Sequence, residues 1–142
     1  MKALVVRRPW AALIASGVKD VENRGRRTSY RGPLLIVAGQ GWDPAGVEHA
    51  AMLGVTIPND PDAYPTGAIA LVDLTDVCSA AHEGRACACS LWGVLGQHHW
   101  RLSNPQRLIE PVPVRGMPGM FTPTAAVIAA VTAQLAEEAT RR

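Results

Sequence analysis

RRPWAALIASGVKDVENRGRRTSYRGPLLIVA, Arg7 to Ala38, is the stretch on which the fold turns. Trp10, Leu13 and Ile14 recur at helical spacing, with small Ala and Ser residues on the other side. Pro9 stands where a first helical residue needs no N–H, and Gly17 is placed to end the helix in a left-handed cap. Val21 to Arg24 reads as extended backbone. If that strand begins near Val21, Lys19 lies in the preceding turn and can share a side with Glu22; in an unbroken strand, residues three apart face opposite ways. The spacing leaves both arrangements open. Gly25 to Gly32 is polar and turn-like. Pro33 to Ala38 reads as a strand buried on both faces, because its apolar run is continuous instead of alternating.

Upstream, Ala3 to Val6 is a short apolar strand closed by Arg7-Arg8-Pro9. Downstream, Asp43-Pro44 opens a helix to about Leu53, Asp43 as N-cap and Pro44 at the first helical position. Three prolines between Pro58 and Pro65 mark a surface loop, and Thr66 to Val77 follows as a long strand. Cys78 to Gly96 is irregular. His99 to Leu102 reads as a strand, Asn104-Pro105 as a turn, and Leu108 to Val114 as an edge or bulged strand, given Pro111 and Pro113. A last helix at about 122–139 has Thr122 as cap, Pro123 at the first position and a stripe of Val127, Ile128, Val131 and Leu135. The order shows no regular βαβ alternation and no repeat. It predicts an α+β fold, a small curled sheet or barrel of five to six mixed strands with three flanking helices.

The chain has 142 residues, 48% of them apolar and 18% charged, which predicts one domain (1–142) with its own core and excludes a disordered polymer. No apolar run approaches the ~20 residues of a membrane span, and Arg7-Arg8-Pro9 interrupts the N-terminal apolar stretch too early for a signal peptide. A cytoplasmic location is expected, with three cysteines held reduced. The net charge is only +2, but Lys19 to Arg31 carries five basic residues against two acidic ones. Such a patch attracts phosphates.

Several blocks together resemble one family. Gly17-Val-Lys19-Asp-Val-Glu22-Asn-Arg24 is similar to the GxKxxExR motif of the ASCH domain, a branch of the PUA-like β-barrel superfamily. Arg8-Pro9-Trp10-Ala11 resembles the opening of that family's first helix, and Tyr30-Arg31-Gly32-Pro33-Leu34 its approach to the third strand. Trp100 to Pro105 and Glu110 to Gly116 resemble two later strands. The likeness spans about residues 3 to 121.

The resemblance implies a PUA-like barrel with a cleft beside the first helix, lined by Lys19, Glu22 and Arg24. It also implies RNA as partner, single-stranded or modified, since PUA, EVE and YTH relatives bind modified RNA or bases. On chemistry, Lys19 and Arg24 can contact phosphate, and Arg8, Arg26, Arg27 and Arg31 extend the basic track. Trp10 and Tyr30 offer stacking faces, and Glu22 can accept from a base edge or pair with its basic neighbours. Some relatives are enzymes, which gives the alternative of a ribonuclease or an amidohydrolase acting on a modified nucleoside such as N4-acetylcytidine. The catalytic candidates are then Lys19, Glu22 and Tyr30, with Asp73 or Asp76 as further carboxylates. The acetylcytidine hydrolases carry a threonine where this chain has Glu22.

Cys78, His82, Cys87 and Cys89 form C-x3-H-x4-C-x-C, four zinc-type ligands within twelve residues. The spacing matches no standard ribbon or finger, and His98-His99 offers competing ligands. The favoured reading is three reduced cysteines packed as small apolar groups, with no metal and no cofactor.

Overall fold

The computed structural model describes residues 1–141 and has the element order β1 (Lys2–Arg8), α1 (Trp10–Ala15), β2 (Val21–Arg24), β3 (Gly32–Trp42), α2 (Ala45–Met52), a short 3-10 turn (Pro61–Ala63), β4 (Gly67–Cys78), β5 (His98–Val112), β6 (Met120–Phe121) and α3 (Ala125–Thr140). The six strands form one mixed sheet in the order β2-β5-β4-β3-β1-β6. Only β1 and β3 run parallel, Leu4 opposite Ile36; the other ladders are antiparallel. The α+β class therefore holds. The expected barrel does not close: β2 and β6 are the two edges, and no ladder joins them among the described residues.

Strand β3 is buried on both faces, as its continuous apolar run predicts. Leu34, Ile36 and Ala38 pack with Ala11 and Ile14 of α1 and with Leu4, Val72, Trp100 and Leu102. Leu35 and Val37, pointing the other way, join Leu108, Val112 and Val131 of α3. Fully withdrawing side chains of this size stabilises the fold by about 1.5–3 kcal/mol each. A third cluster brings Leu13, Val21, Ala50 and Trp92 together between α1, β2, α2 and the loop before β5.

Several boundaries differ from the sequence reading. Pro9 and Pro44, expected at the first helical position, are the N-cap residues of α1 and α2. The strand read as ending at Ala38 continues through Gly39 to Trp42, because Gly39 and Gly41 leave room for the Val5 and Arg7 side chains of β1; a Cβ on Gly39 would lie 2.7 Å from Val5 Cγ1. The two strands expected around Asn104-Pro105 are one strand, β5. Pro105 and Pro111 both fall inside register shifts against β4, where a missing N–H breaks no ladder bond, and Asn104 takes φ 50°. The last helix is capped by Thr124, whose Oγ1 accepts from Val127 N–H at 3.3 Å, whereas the Thr122 hydroxyl accepts from Lys2 Nζ at 2.9 Å.

Candidate functional site

The turn after α1 decides where Lys19 points. Gly17 adopts φ +82° and donates its N–H to Ile14, and Lys19 N–H closes back on the Leu13 carbonyl at 3.0 Å. This folds the Lys19 side chain beneath α1, where Nζ donates to the Val21 carbonyl and, at 3.3 Å, to Glu22 Oε1. Strand β2 puts Glu22 and Arg24 on one side of the sheet, two residues apart. Arg24 Nε donates to Glu22 Oε2 at 2.9 Å, and its Nη2 donates to the Val5 carbonyl at 2.9 Å. One carboxylate thus bridges two cations, with Lys19 3% and Glu22 8% exposed. Burial pulls the Lys19 ammonium below the ordinary lysine range, and the charge and hydrogen bond of Glu22 oppose that fall.

This triad floors a cleft of ≈490 Å³. Its walls are aromatic. Trp10 meets Trp92 edge-on at 6.4 Å between ring centroids, His49 stacks on Trp92 at 4.9 Å, and Lys19 Nζ lies 5.6 Å from the Trp10 ring centroid. The Trp10 indole N–H donates to Asp43 Oδ2 at 2.9 Å, while Asp43 Oδ1 accepts from Ala45 N–H at the start of α2. Those bonds hold the Asp43 carboxyl below the usual carboxylate range, the Trp10 bond contributing most. Asn23 fastens the loop before β5 to the site: its Nδ2 donates to the Trp92 carbonyl at 2.9 Å and its Oδ1 accepts from Val94 N–H at 2.8 Å.

Arg24 and Gly25 also line a second groove of ≈710 Å³, shared with Arg26, Arg27, Thr28 and Trp100. Trp100 Nε1 donates to the Arg26 carbonyl at 3.0 Å, which anchors that backbone while the Arg26 and Arg27 side chains stay exposed. The cleft and the basic groove thus meet at Arg24–Gly25.

Of the residues singled out by sequence, Trp10, Lys19, Glu22 and Arg24 come together in the cleft, with Arg26 and Arg27 in the adjoining groove. Three others lie elsewhere. Arg8 donates to the carbonyls of Pro61, Tyr64 and Gln40. Tyr30 donates its hydroxyl to the Pro33 carbonyl at 2.5 Å and packs against the core. Arg31 donates to the Thr28 and Tyr30 carbonyls and approaches Asp76 at 3.8 Å. Asp73 accepts from Asn104 at 3.3 Å, outside the cleft. Of the C-x3-H-x4-C-x-C set, the three cysteines converge but His82 does not join them; its Nδ1 bonds the Gly96 carbonyl and its ring stacks on His98 at 4.0 Å.

His49, Trp92 and Asn23 escaped the sequence reading, which took Asp43 only as a helix cap. A lone tryptophan in a loop of small residues was the one available signal, since an aromatic ring there must find a packing partner.

The chain belongs to the ASCH domain family, whose profile matches residues 4–113. It is similar to Activating signal cointegrator 1 of Mus musculus, at 31% identity over 128 residues, and of Homo sapiens, at 29%. Each alignment covers 83% of this chain but 21% of the relative, so the chain spans about a fifth of those proteins.

Proposed function

We propose that this chain is a single ASCH module, over 1–142, that binds single-stranded RNA by taking one unstacked base into the Trp10–Trp92–His49 cleft, with the flanking phosphates on Arg24, Arg26 and Arg27. The observation that carries this reading is the junction at Arg24–Gly25, where an aromatic-walled cleft with a polar floor opens into an exposed basic groove. Unpaired bases are recognised by such walls, which stack on the base face, and by donors and acceptors that meet its edge. Lys19, Glu22, Arg24 and Asn23 supply both kinds of group. The arginines give affinity without regard to sequence, and the cleft gives selectivity. The implied PUA-like kinship points the same way, and we place the activity in the cytoplasm.

A second reading has its own support. A buried lysine with lowered proton affinity, 3.3 Å from a carboxylate in a cleft, is the kind of pair that moves protons in catalysis. It would serve amide hydrolysis of a modified nucleoside, in which water adds to the acyl carbon and the exocyclic amine leaves.

The experiment that tests both is titration of labelled single-stranded and duplex RNA with the purified chain, with products resolved after incubation and N4-acetylcytidine run in parallel. Binding of intact single strand in preference to duplex supports the module. No affinity for any single strand overturns it, and release of cytidine and acetate assigns the second reading.

A further inference from the structure

The three cysteines are brought to one point by the sheet, and the sheet supplies a partner that sequence proximity conceals. Cys78 ends β4 and is the direct cross-strand partner of His99 in β5. Opposed residues of an antiparallel ladder project to the same face, so the thiol and the imidazole start side by side. The intervening loop then returns Cys87 and Cys89. The three sulfurs lie within 4.8 Å of one another, with Cys78 to Cys87 at 3.3 Å and Cys87 to Cys89 at 2.6 Å. Cys87 Sγ is 3.3 Å from His99 Nδ1.

The imidazole is oriented as a ligand. His99 Nε2 lies 2.8 Å from the Val94 carbonyl, which only accepts, so Nε2 carries the proton and Nδ1 turns its lone pair toward the sulfurs. A backbone carbonyl holding the far ring nitrogen is the usual support of a metal-bound histidine. Gly93 seats the ring: a Cβ there would meet His99 Cε1 at 2.6 Å. Apolar packing gives no reason for three half-buried thiols to converge beside an unprotonated nitrogen that reaches Cys87, and one disulfide would leave a sulfur over.

We propose that Cys78, Cys87, Cys89 and His99 hold a zinc ion in a closed Cys3His site. Zinc takes four such ligands tetrahedrally with Zn–S near 2.3 Å, which sets sulfur separations of about 3.8 Å. Loading opens the Cys87–Cys89 pair, draws His99 Nδ1 in, and passes three thiol protons to solvent. Soft thiolates select zinc over magnesium or calcium. The site stands behind one wall of the cleft: Cys89 precedes Trp92 by three residues, and Asn23 clasps Trp92 and Val94. The ion therefore fixes that wall, whatever the cleft binds.

The test is zinc content of the full chain purified under reductant, joined to cobalt(II) titration of metal-stripped protein. About one zinc per chain is expected, with a thiolate-to-cobalt charge-transfer band and the strong visible bands of tetrahedral cobalt. His99→Ala and Cys87→Ser should lose the ion, and His82→Ala should retain it. If the ligand variants fail to fold, the cobalt spectrum of the unaltered chain decides. A chain that binds neither ion, or one carrying a Cys87–Cys89 disulfide under reductant, overturns the site. Loss of zinc from His82→Ala with retention in His99→Ala overturns the ligand assignment.

Discussion

Glu22 stands between Lys19 and Arg24 with one carboxylate oxygen on each, 3.3 Å from Lys19 Nζ and 2.9 Å from Arg24 Nε, and the lysine has almost no contact with water. A buried ion pair gives little net stability, but removal of one partner strands the other. Glu22→Gln should therefore lose about 3–5 kcal/mol in a denaturant titration at neutral pH. The pH dependence has a definite sign. Lys19 in the folded chain already titrates below 10.5, so between its folded value and 10.5 the unfolded state holds more protons and stability rises with pH. Loss of Glu22 lowers the folded value further and widens that window. The gap between variant and wild type should shrink as pH rises, and a gap independent of pH contradicts this account.

Asp43 gives the opposite slope. Its folded carboxyl titrates below 3.8, held there chiefly by the Trp10 indole, so it contributes stability above 3.8 that is lost as pH falls through the folded value. Asp43→Asn keeps an oxygen for Ala45 N–H but turns an amide N–H toward the Trp10 indole N–H, so it should weaken the chain by about 1 kcal/mol at neutral pH, the size of one lost hydrogen bond. Thermal melts across the acid range should show that difference shrinking as pH falls below 3.8 and vanishing below the folded value.

Arg26 and Arg27 are exposed beside the second groove and make no ion pair among the described residues. If they meet RNA phosphates, replacing both with alanine should flatten the plot of log affinity against log salt by about 1.4, since each contact to a single strand contributes about 0.7. Fluorescence anisotropy at a series of salt concentrations reads the slope directly, and stability should stay within about 0.5 kcal/mol of wild type.

The last helix is capped by Thr124 and not by Thr122, the residue the sequence reading chose. Thr124→Ala should lose about 1 kcal/mol, and Thr122→Ala, which gives up only an exposed bond from Lys2, no more than about 0.5 kcal/mol. Chemical denaturation of the two variants checks the order.

Those threonines also mark how far the residues could be read. Local signals carried Arg7 to Ala38: the helix stripe, the Gly17 exit and the unbroken apolar run of β3 depend on neighbours in sequence, and the structure has them all. The floor of the cleft came from the family resemblance; the spacing left the side of Lys19 open, and the Gly17 turn decides it. Where pairing decides, the reading failed. Pro105 and Pro111 look like strand breaks until the shifted register of β5 against β4 shows that neither needs an N–H. Thr122 before Pro123 looked like the cap of the last helix, but the helix starts two residues later and Thr124 caps it. His99 joins Cys78 through a ladder, twenty-one residues away in sequence, whereas His82 was only nearby along the chain. Trp92 and His49 reach the cleft through the packing of a loop and a helix on α1, which no periodicity encodes.

The central claim is that a base enters the cleft walled by Trp10, Trp92 and His49. Two-dimensional NMR of the labelled chain, titrated with a short unstructured RNA, tests it most directly. The account expects the largest shifts at the Trp10 and Trp92 indole N–H groups, the Asn23 side-chain amide and the Arg24 Nε–H, with smaller ones at Arg26 and Arg27. Shifts confined to the exposed arginines, with both indoles unmoved, would contradict it.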